Sequence, residues 1–333
     1  MKRRQLILGL GVAPFAWGPW RAAAAATKWD LYSFVSINHM IAVQLTQFAE
    51  EVKKRTGGEL SILVRPAGEL PFKANEVVRI TGEGQVQLGE ALALFVTGSV
   101  PLTGVTGLPM FLRSPEQMQK ALPIIDKYVR KEFEKQGVRI LFHYLWPSTN
   151  IFGSGKPIRS ADDFVGRKLR TLSPQEAEML KRLGASSVSL TTSDVPVALE
   201  RGTVEGVITT GFNMVGSKWG DFCKWAYLAD LHGADDYIIV NAAAYDNLSP
   251  RVRQVLDEVA KEWAPKMTQA NLAAEAGSLE TLRTQNGVEL IRASKQDTDR
   301  ITEKMKDYWP AWAKQTGPDA VAMLDEVRAA VGK

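Results

Sequence analysis

Chemistry-bearing residues are scarce in this chain of 333 residues. Its single cysteine, Cys223, can form neither a disulfide framework nor a thiolate metal site. Three histidines, His39, His143 and His232, are too few and too scattered for a helix-spaced zinc pair, so each reads as structural. The stretch Gly153-Ser154-Gly155-Lys156 fails as a phosphate loop, because Asn150 stands where the leading glycine is needed and Pro157 where the hydroxyl is needed. Gly82-Glu83-Gly84 precedes a strand, whereas a dinucleotide fingerprint follows one. There is no GxSxG elbow. Beyond the N-terminus no run reaches the roughly eighteen apolar residues that a spanning helix needs, and no repeat or low-complexity tract is visible. With no nucleophile motif, metal cluster or cofactor loop, a binding protein is the stronger reading than an enzyme, and no cofactor or metal is expected.

What the chain does have begins with an export signal. Lys2, Arg3 and Arg4 precede the uncharged run Leu6 to Trp20, and Arg21 precedes Ala22 to Ala26, the order of a signal peptide. The glycines and prolines within the run argue against a buried helix. Cleavage after Ala26 leaves 307 of the 333 residues and removes four of the 41 basic residues and none of the 37 acidic ones. The net charge of +4 therefore belongs to the signal, and the basic footprint of a nucleic-acid binder disappears with it. Arg3-Arg4 resembles a twin-arginine signal, although a basic n-region serves the general secretory route equally well.

The mature segment alternates strands and helices. Trp29 to Ile37, Leu60 to Val64, Val86 to Phe95 and Val138 to Tyr144 read as strands. Between them the apolar spacing predicts helices with Ile41, Leu45, Phe48 and Val52 on one face, a short helix over Asn75 to Thr81, and a third opened by the capping box Ser114 to Gln117. The loop Pro147 to Pro157 leads to a second unit, with strands at Lys168 to Thr171, Ser186 to Leu190 and Val204 to Ile208. Its helices follow the capping box at Ser173 and run over Ser193 to Arg201. Tyr237 to Asn241 reads as a strand returning to the first sheet. From Pro250 a stripe of Val252, Leu256, Val259, Trp263 and Met267 predicts one unusually long helix. The expectation is an α/β protein of two lobes braced by that helix. The boundaries drawn are 1–26 for the signal, 27–147 with about 236–275 for lobe I, and 148–235 with about 276–333 for lobe II.

Three segments carry a resemblance. FAEEVKKRTGGELSILVRPAGELP, with Asn38-His39 before it and the strand ending near Leu92 after it, is similar to the N-terminal block of the DctP-type solute-binding proteins of TRAP (tripartite ATP-independent periplasmic) transporters. DFVGRKLRTLSPQEAEMLKRLGA, Asp163 to Ala185, resembles that family's central motif, and VPVALERGTVEGV, Val195 to Val207, the helix-turn-strand after it. The resemblance implies a type II-like periplasmic binding fold with a ligand cleft between the lobes. It implies capture of a small organic carboxylate in the periplasm and delivery to a membrane permease, with no membrane insertion of the mature chain.

By position, the resemblance makes Arg170 the carboxylate-binding arginine, a role that suits the planar two-donor fork of a guanidinium. The bland alternative is a surface arginine paired with Asp162 or Asp163. Relatives often carry a second cation about twenty positions earlier, where this chain has Asn150, and an asparagine where spacing gives Thr209. One cation fewer favours a monocarboxylate with an apolar or aromatic body, such as a 2-oxo or 2-hydroxy acid read by Asn150, Thr209 or Asn213. Leu92, Trp146, Phe152 and Phe212 lie in segments that face the cleft in the family. A C4-dicarboxylate or sugar-acid binder and, further off, a periplasmic enzyme on a two-lobed frame are the alternatives.

Overall fold

A computed structural model describes residues 26–333, so all of the expected signal peptide but Ala26 lies outside the described residues. Two sheets form the frame. In the first half, β1 (Thr27–Tyr32), α1 (Met40–Arg55), β2 (Leu60–Arg65), α2 (Val77–Gly82), β3 (Leu88–Leu92), α3 (Pro115–Lys135) and β4 (Val138–Trp146) follow in turn. The second unit comprises β5 (Asn150–Gly153), β6 (Lys168–Thr171), α4 (Pro174–Arg182), β7 (Ser186–Ser189), α5 (Val195–Glu200), β8 (Gly206–Thr209), α6 (Gly211–Gly216) and β9 (Trp225–Leu228). The chain then returns through β10 (Ala234–Asn241), α7 (Ala242–Asp246), α8 (Pro250–Gln285), β11 (Glu289–Arg292), α9 (Lys295–Met305), α10 (Tyr308–Thr316) and α11 (Pro318–Val331).

The first sheet has the order β2-β1-β3-β10-β4 and the second β11-β9-β5-β8-β6-β7. β1 runs parallel to β2 and β3, and β10 is inserted antiparallel between β3 and β4. The return strand thus sits at the heart of the first sheet, buried along its whole length. Its continuous apolar run Tyr237-Ile238-Ile239-Val240 is the composition of a strand covered on both faces.

Local chemistry explains most element ends. Ser114 accepts from the amide of Gln117 and Ser173 from that of Glu176, each with proline at the first helical position. On α1, Ile41, Leu45, Phe48 and Val52 are buried and the last turn carries Lys53, Lys54 and Arg55, which suits the negative end of the helix dipole. The long helix α8 spans 36 residues, about 54 Å at 1.5 Å per residue. It packs on α1 and β4 of the first lobe and on α6 and β11 of the second, with the predicted stripe from Val252 to Met267 buried. No helix among the described residues is long and apolar enough to cross a membrane.

Three features differ from the sequence reading. The segment read as a loop over Pro147 to Pro157 contains β5, a central strand that pairs antiparallel with both β8 and β9. Four strand residues flanked by proline, glycine and serine carry too short a pattern to announce themselves. The strands β9 and β11 escaped for the same reason. Of the C-terminal helices, α9 packs on α4 of lobe II as expected, whereas α11 packs on α3 and the Trp309 indole of α10 donates to the Pro109 carbonyl at 2.9 Å, both in the first lobe. Their apolar stripe shows that they bury a face, and only the folded chain shows against what.

The sheets are joined by two crossing segments and by α8. The crossing segments bond each other: the Thr149 amide donates to the His232 carbonyl and the Leu231 amide to the Thr149 carbonyl, both at 2.9 Å.

Candidate ligand-binding site

A small cavity, of about 30 Å³, lies where the lobes meet. The first lobe gives it an apolar wall. Leu92 ends β3, Leu94 follows it, Phe34 follows β1, Trp146 ends β4 and Ala234 begins β10. Phe34 and Trp146 stack with ring centroids 6.1 Å apart at 25°. The second lobe gives a polar wall: Arg170 on β6, Thr209 at the end of β8, Thr210 and Asn213 at the start of α6, and Thr192. Thr149 comes from the crossing segment, and Leu172 follows β6.

Arg170 is the one charged side chain among the described lining residues. It is 1% exposed. Its Nε donates to the Leu190 carbonyl at 2.9 Å and its Nη1 to the Ile208 carbonyl at 3.3 Å, while Nη2 has no partner. Its guanidinium carbon lies 5.8 Å from the Trp219 ring and 6.0 Å from that of Phe95, which hold the group by its faces. Burial lowers its pKa to about 10, partly offset by the nearby Glu176, so it keeps its charge at neutral pH. The residues that would have made it a surface ion pair are engaged elsewhere. Asp162 pairs with Arg300, and Asp163 accepts from the Arg159 and Ser160 amides. A buried cation without a carboxylate partner is costly, and a cavity beside its free nitrogen is where an anion offsets that cost.

Around it, neutral donors are set by local structure. Thr210 is the N-cap of α6 and accepts from the Asn213 amide, while the Asn213 Nδ2 donates to the Thr209 hydroxyl at 3.0 Å. The α6 N-terminus is held from outside by Glu275 of α8, which accepts from the Gly211 amide at 2.9 Å and the Phe212 amide at 2.7 Å. Burial pushes the Glu275 carboxyl up to about 7, against the pull of those two amides.

The residues singled out in the sequence do not all meet here. Arg170, Leu92, Trp146, Thr209 and Asn213 line the cavity. Phe212 stands just outside, its ring edge-on to Trp146 at 5.4 Å and to His39 at 5.0 Å across the lobes. Asn150 does not line it: its Oδ1 accepts from the Asp230 amide at 2.9 Å and its Nδ2 donates to the Ser148 carbonyl, so the side chain ties the two crossing segments together. Phe152 is likewise displaced, into the second lobe's own core with Val207 and Trp219. It shares a strand face with Asn150, two residues away, and with Thr209 and Val207 opposite them, but packs into that core and not into the cavity. Phe34, Leu94, Thr149, Leu172, Thr192, Thr210 and Ala234 went unnoticed in the sequence, since nothing in their type or spacing separates them from core or loop residues.

The three histidines take structural places. His39 caps α1, accepting from the Ile41 amide, and burial lowers its pKa to about 4. A Cβ on Gly216 would come within 2.2 Å of its ring, so the lobes approach here only because α6 ends in glycine. His143 pairs with Asp235, and His232 lies 3.0 Å from Glu176 with both side chains fully buried.

Similarity to known proteins agrees with this geometry. Residues 33–315 match the model of DctP, bacterial extracellular solute-binding protein family 7. The chain is 31% identical over 222 residues to the C4-dicarboxylate-binding periplasmic protein DctP of Rhodobacter capsulatus, 65% of either chain. It is 23% identical to the 2,3-diketo-L-gulonate-binding periplasmic protein YiaO of Escherichia coli, covering 85% of this chain and 86% of that one. Among solved structures, DctP7, a Bordetella pertussis extracytoplasmic solute receptor binding pyroglutamic acid, superposes with a TM-score of 0.86 at 26% identity over 91% of this chain and 100% of that one.

Proposed function

The chain belongs to bacterial extracellular solute-binding protein family 7, the DctP family, and from that premise we propose that it captures a small organic monocarboxylate and delivers it to the membrane permease of a TRAP transporter. The observation that carries this reading is the lone, fully buried guanidinium of Arg170 with Nη2 free beside a small cavity. It has donors for one carboxylate. A second carboxylate would meet neutral threonine, asparagine or the apolar wall, an expensive place for an unpaired charge. Pyroglutamate, which the Bordetella relative binds, fits the pattern: one carboxylate, a compact ring for the Phe34 and Trp146 wall, and a lactam for neutral hydrogen-bonding groups.

Family members are receptors, and as one of them this protein returns its ligand unchanged. The site acts outside the cytoplasm, in the periplasm, after removal of residues 1–26. N-terminal sequencing of exported protein should begin at or near Thr27, and a start at Met1 would refute the cleavage. The lobes divide at the crossing segments 147–149 and 229–233, and their closure over the ligand gives the permease its recognition signal.

A thermal-shift panel of carboxylates, followed by calorimetric titration, tests the reading. A ligand that binds only the native state raises the melting temperature. Pyroglutamate and small 2-oxo or 2-hydroxy monocarboxylates should stabilise the protein more than succinate or uronates. If dicarboxylates alone stabilise it, the monocarboxylate assignment falls and the C4-dicarboxylate reading takes its place.

A further inference from the structure

Behind the apolar wall lies a pair of acids that the carboxylate-binding chemistry does not use. In the first sheet Asp236 is registered opposite Leu92 and Tyr144, Ala234 opposite Trp146, and Ile238 opposite Glu90. Directly opposed residues share a face, so Glu90, Asp236 and Tyr144 stand on the same face as Leu92, Trp146 and Ala234, one row beneath the cavity. Glu90 and Asp236 are both fully buried. Among the described residues no lysine, arginine or histidine donates to either.

Their hydrogen bonds reach up to this wall. Glu90 accepts from the hydroxyl of Ser33, the residue before Phe34. Asp236 Oδ2 accepts from the Trp146 indole at 2.9 Å, which fixes Trp146. Between them the Tyr144 hydroxyl lies 2.8 Å from Glu90 Oε1 and 3.1 Å from Asp236 Oδ2. That hydroxyl has a single hydrogen and cannot serve two carboxylates at once. Two ionised carboxylates in this cluster would repel with no cation between them.

We propose that Glu90 and Asp236 share a proton and act as positioning residues for the ligand cavity, so that the aromatic wall formed by Phe34 and Trp146 holds its binding geometry only while that proton is present. The inference rests on the reading of the cavity as the ligand site. When the proton leaves for solvent, the two carboxylates repel, the bonds to Trp146 and to Ser33 beside Phe34 shift, and affinity falls. Burial pushes the Glu90 carboxyl up to about 7, and burial followed by the Glu90 charge raises Asp236 well above its ordinary range. The other titratable groups around the pair do not replace the proton. Tyr32 and Tyr144 are both held in their neutral form by burial. Asp235 turns to the opposite sheet face, where it meets His143. Arg170 stands on the other lobe, bonded to Leu190 and Ile208.

Two measurements on the full mature protein test this. The first needs no ligand: the indole ¹H–¹⁵N cross-peak of Trp146, assigned by its loss in Trp146→Phe, is followed between about pH 5 and pH 9, well above the ordinary carboxyl range. It should move along a one-proton titration curve in the wild type and stay fixed in Asp236→Asn, whose neutral amide mimics the protonated acid. A wild-type cross-peak that does not move overturns the shared proton, whether or not the variant folds. The second uses pyroglutamate as the probe. Its Kd should rise as pH passes the same midpoint, by up to tenfold per pH unit for one proton, and this dependence should flatten in Asp236→Asn or, if that variant does not fold, in Glu90→Gln. A moving cross-peak with a pH-independent Kd overturns the link to binding. Absence of pyroglutamate binding at every pH counts against the ligand assignment, and the first measurement still decides the proton.

Discussion

Arg170 and Asp236 stand on opposite lobes near one cavity, both fully buried, and their surroundings treat them in opposite ways. The second lobe gives Arg170 two backbone carbonyls, the Trp219 face and no carboxylate bond, and the first lobe adds the Phe95 face, so its charge persists and one nitrogen stays free. The first lobe buries Asp236 beside another acid, which favours a neutral, protonated carboxyl against the pull of the indole and phenol that donate to it. The lesson is one of charge placement. A single uncompensated cation faces the cavity, and the acids that could have neutralised it are kept one row behind an apolar wall.

Removing the cation should break this contrast most severely. Arg170→Met is expected to weaken ligand binding by two to three or more decades, since breaking one side of a buried pair costs about 3–5 kcal/mol. Arg170→Lys keeps the charge without the fork and should recover only part of the loss. Both should fold, and calorimetric titration reads the effect. An Arg170→Met protein binding within about threefold of wild type would remove Arg170 from the site.

The contrast sharpens at Glu275, an acid placed behind the polar wall. Its folded pKa is raised to about 7. A carboxyl raised in the fold contributes stability that is present below its unfolded value, about 4.3, and is lost as pH rises through about 7. Relative to Glu275→Gln, the wild type should therefore lose stability between those limits, by about 4 kcal/mol at most. Chemical denaturation at several pH values checks this, and parallel pH curves for the two proteins would show that the two amide bonds outweigh burial.

Smaller effects test the neutral donors. Asn213→Ala removes a hydrogen-bonding side chain from the cavity and should cost about 1 kcal/mol of binding, roughly fivefold in Kd. Asn150→Ala should behave differently. It leaves the Asp230 amide without its partner, so it should lower stability by about 1 kcal/mol while leaving the order of carboxylate preference unchanged. A changed ligand order in Asn150→Ala would return that residue to the cavity wall.

The path from sequence to site was uneven for identifiable reasons. The capping boxes at Ser114 and Ser173, the strand over Lys168 to Thr171 and the stripe of the long helix were legible, because each depends on neighbours within a turn or two. The short strand over Asn150 to Gly153 was not, because its partners lie far away in the chain and four residues carry almost no periodicity. Asn150 and Phe152 illustrate the same limit within the site. Their positions suggested the cleft, yet one was taken by the Asp230 backbone and the other by the second lobe's core.

By itself, then, the sequence determined the α/β alternation, the long helix and the family motif that puts an arginine at the end of a strand, since all three are written in local spacing. Tertiary structure alone decided that β10 runs between β3 and β4, and with it which residues share the face beneath the cavity. It decided too that Arg170 has no carboxylate bonded to it while Glu90 and Asp236 have each other. Charge state in a buried place depends on what the whole fold brings within a few ångströms, and no local pattern encodes that.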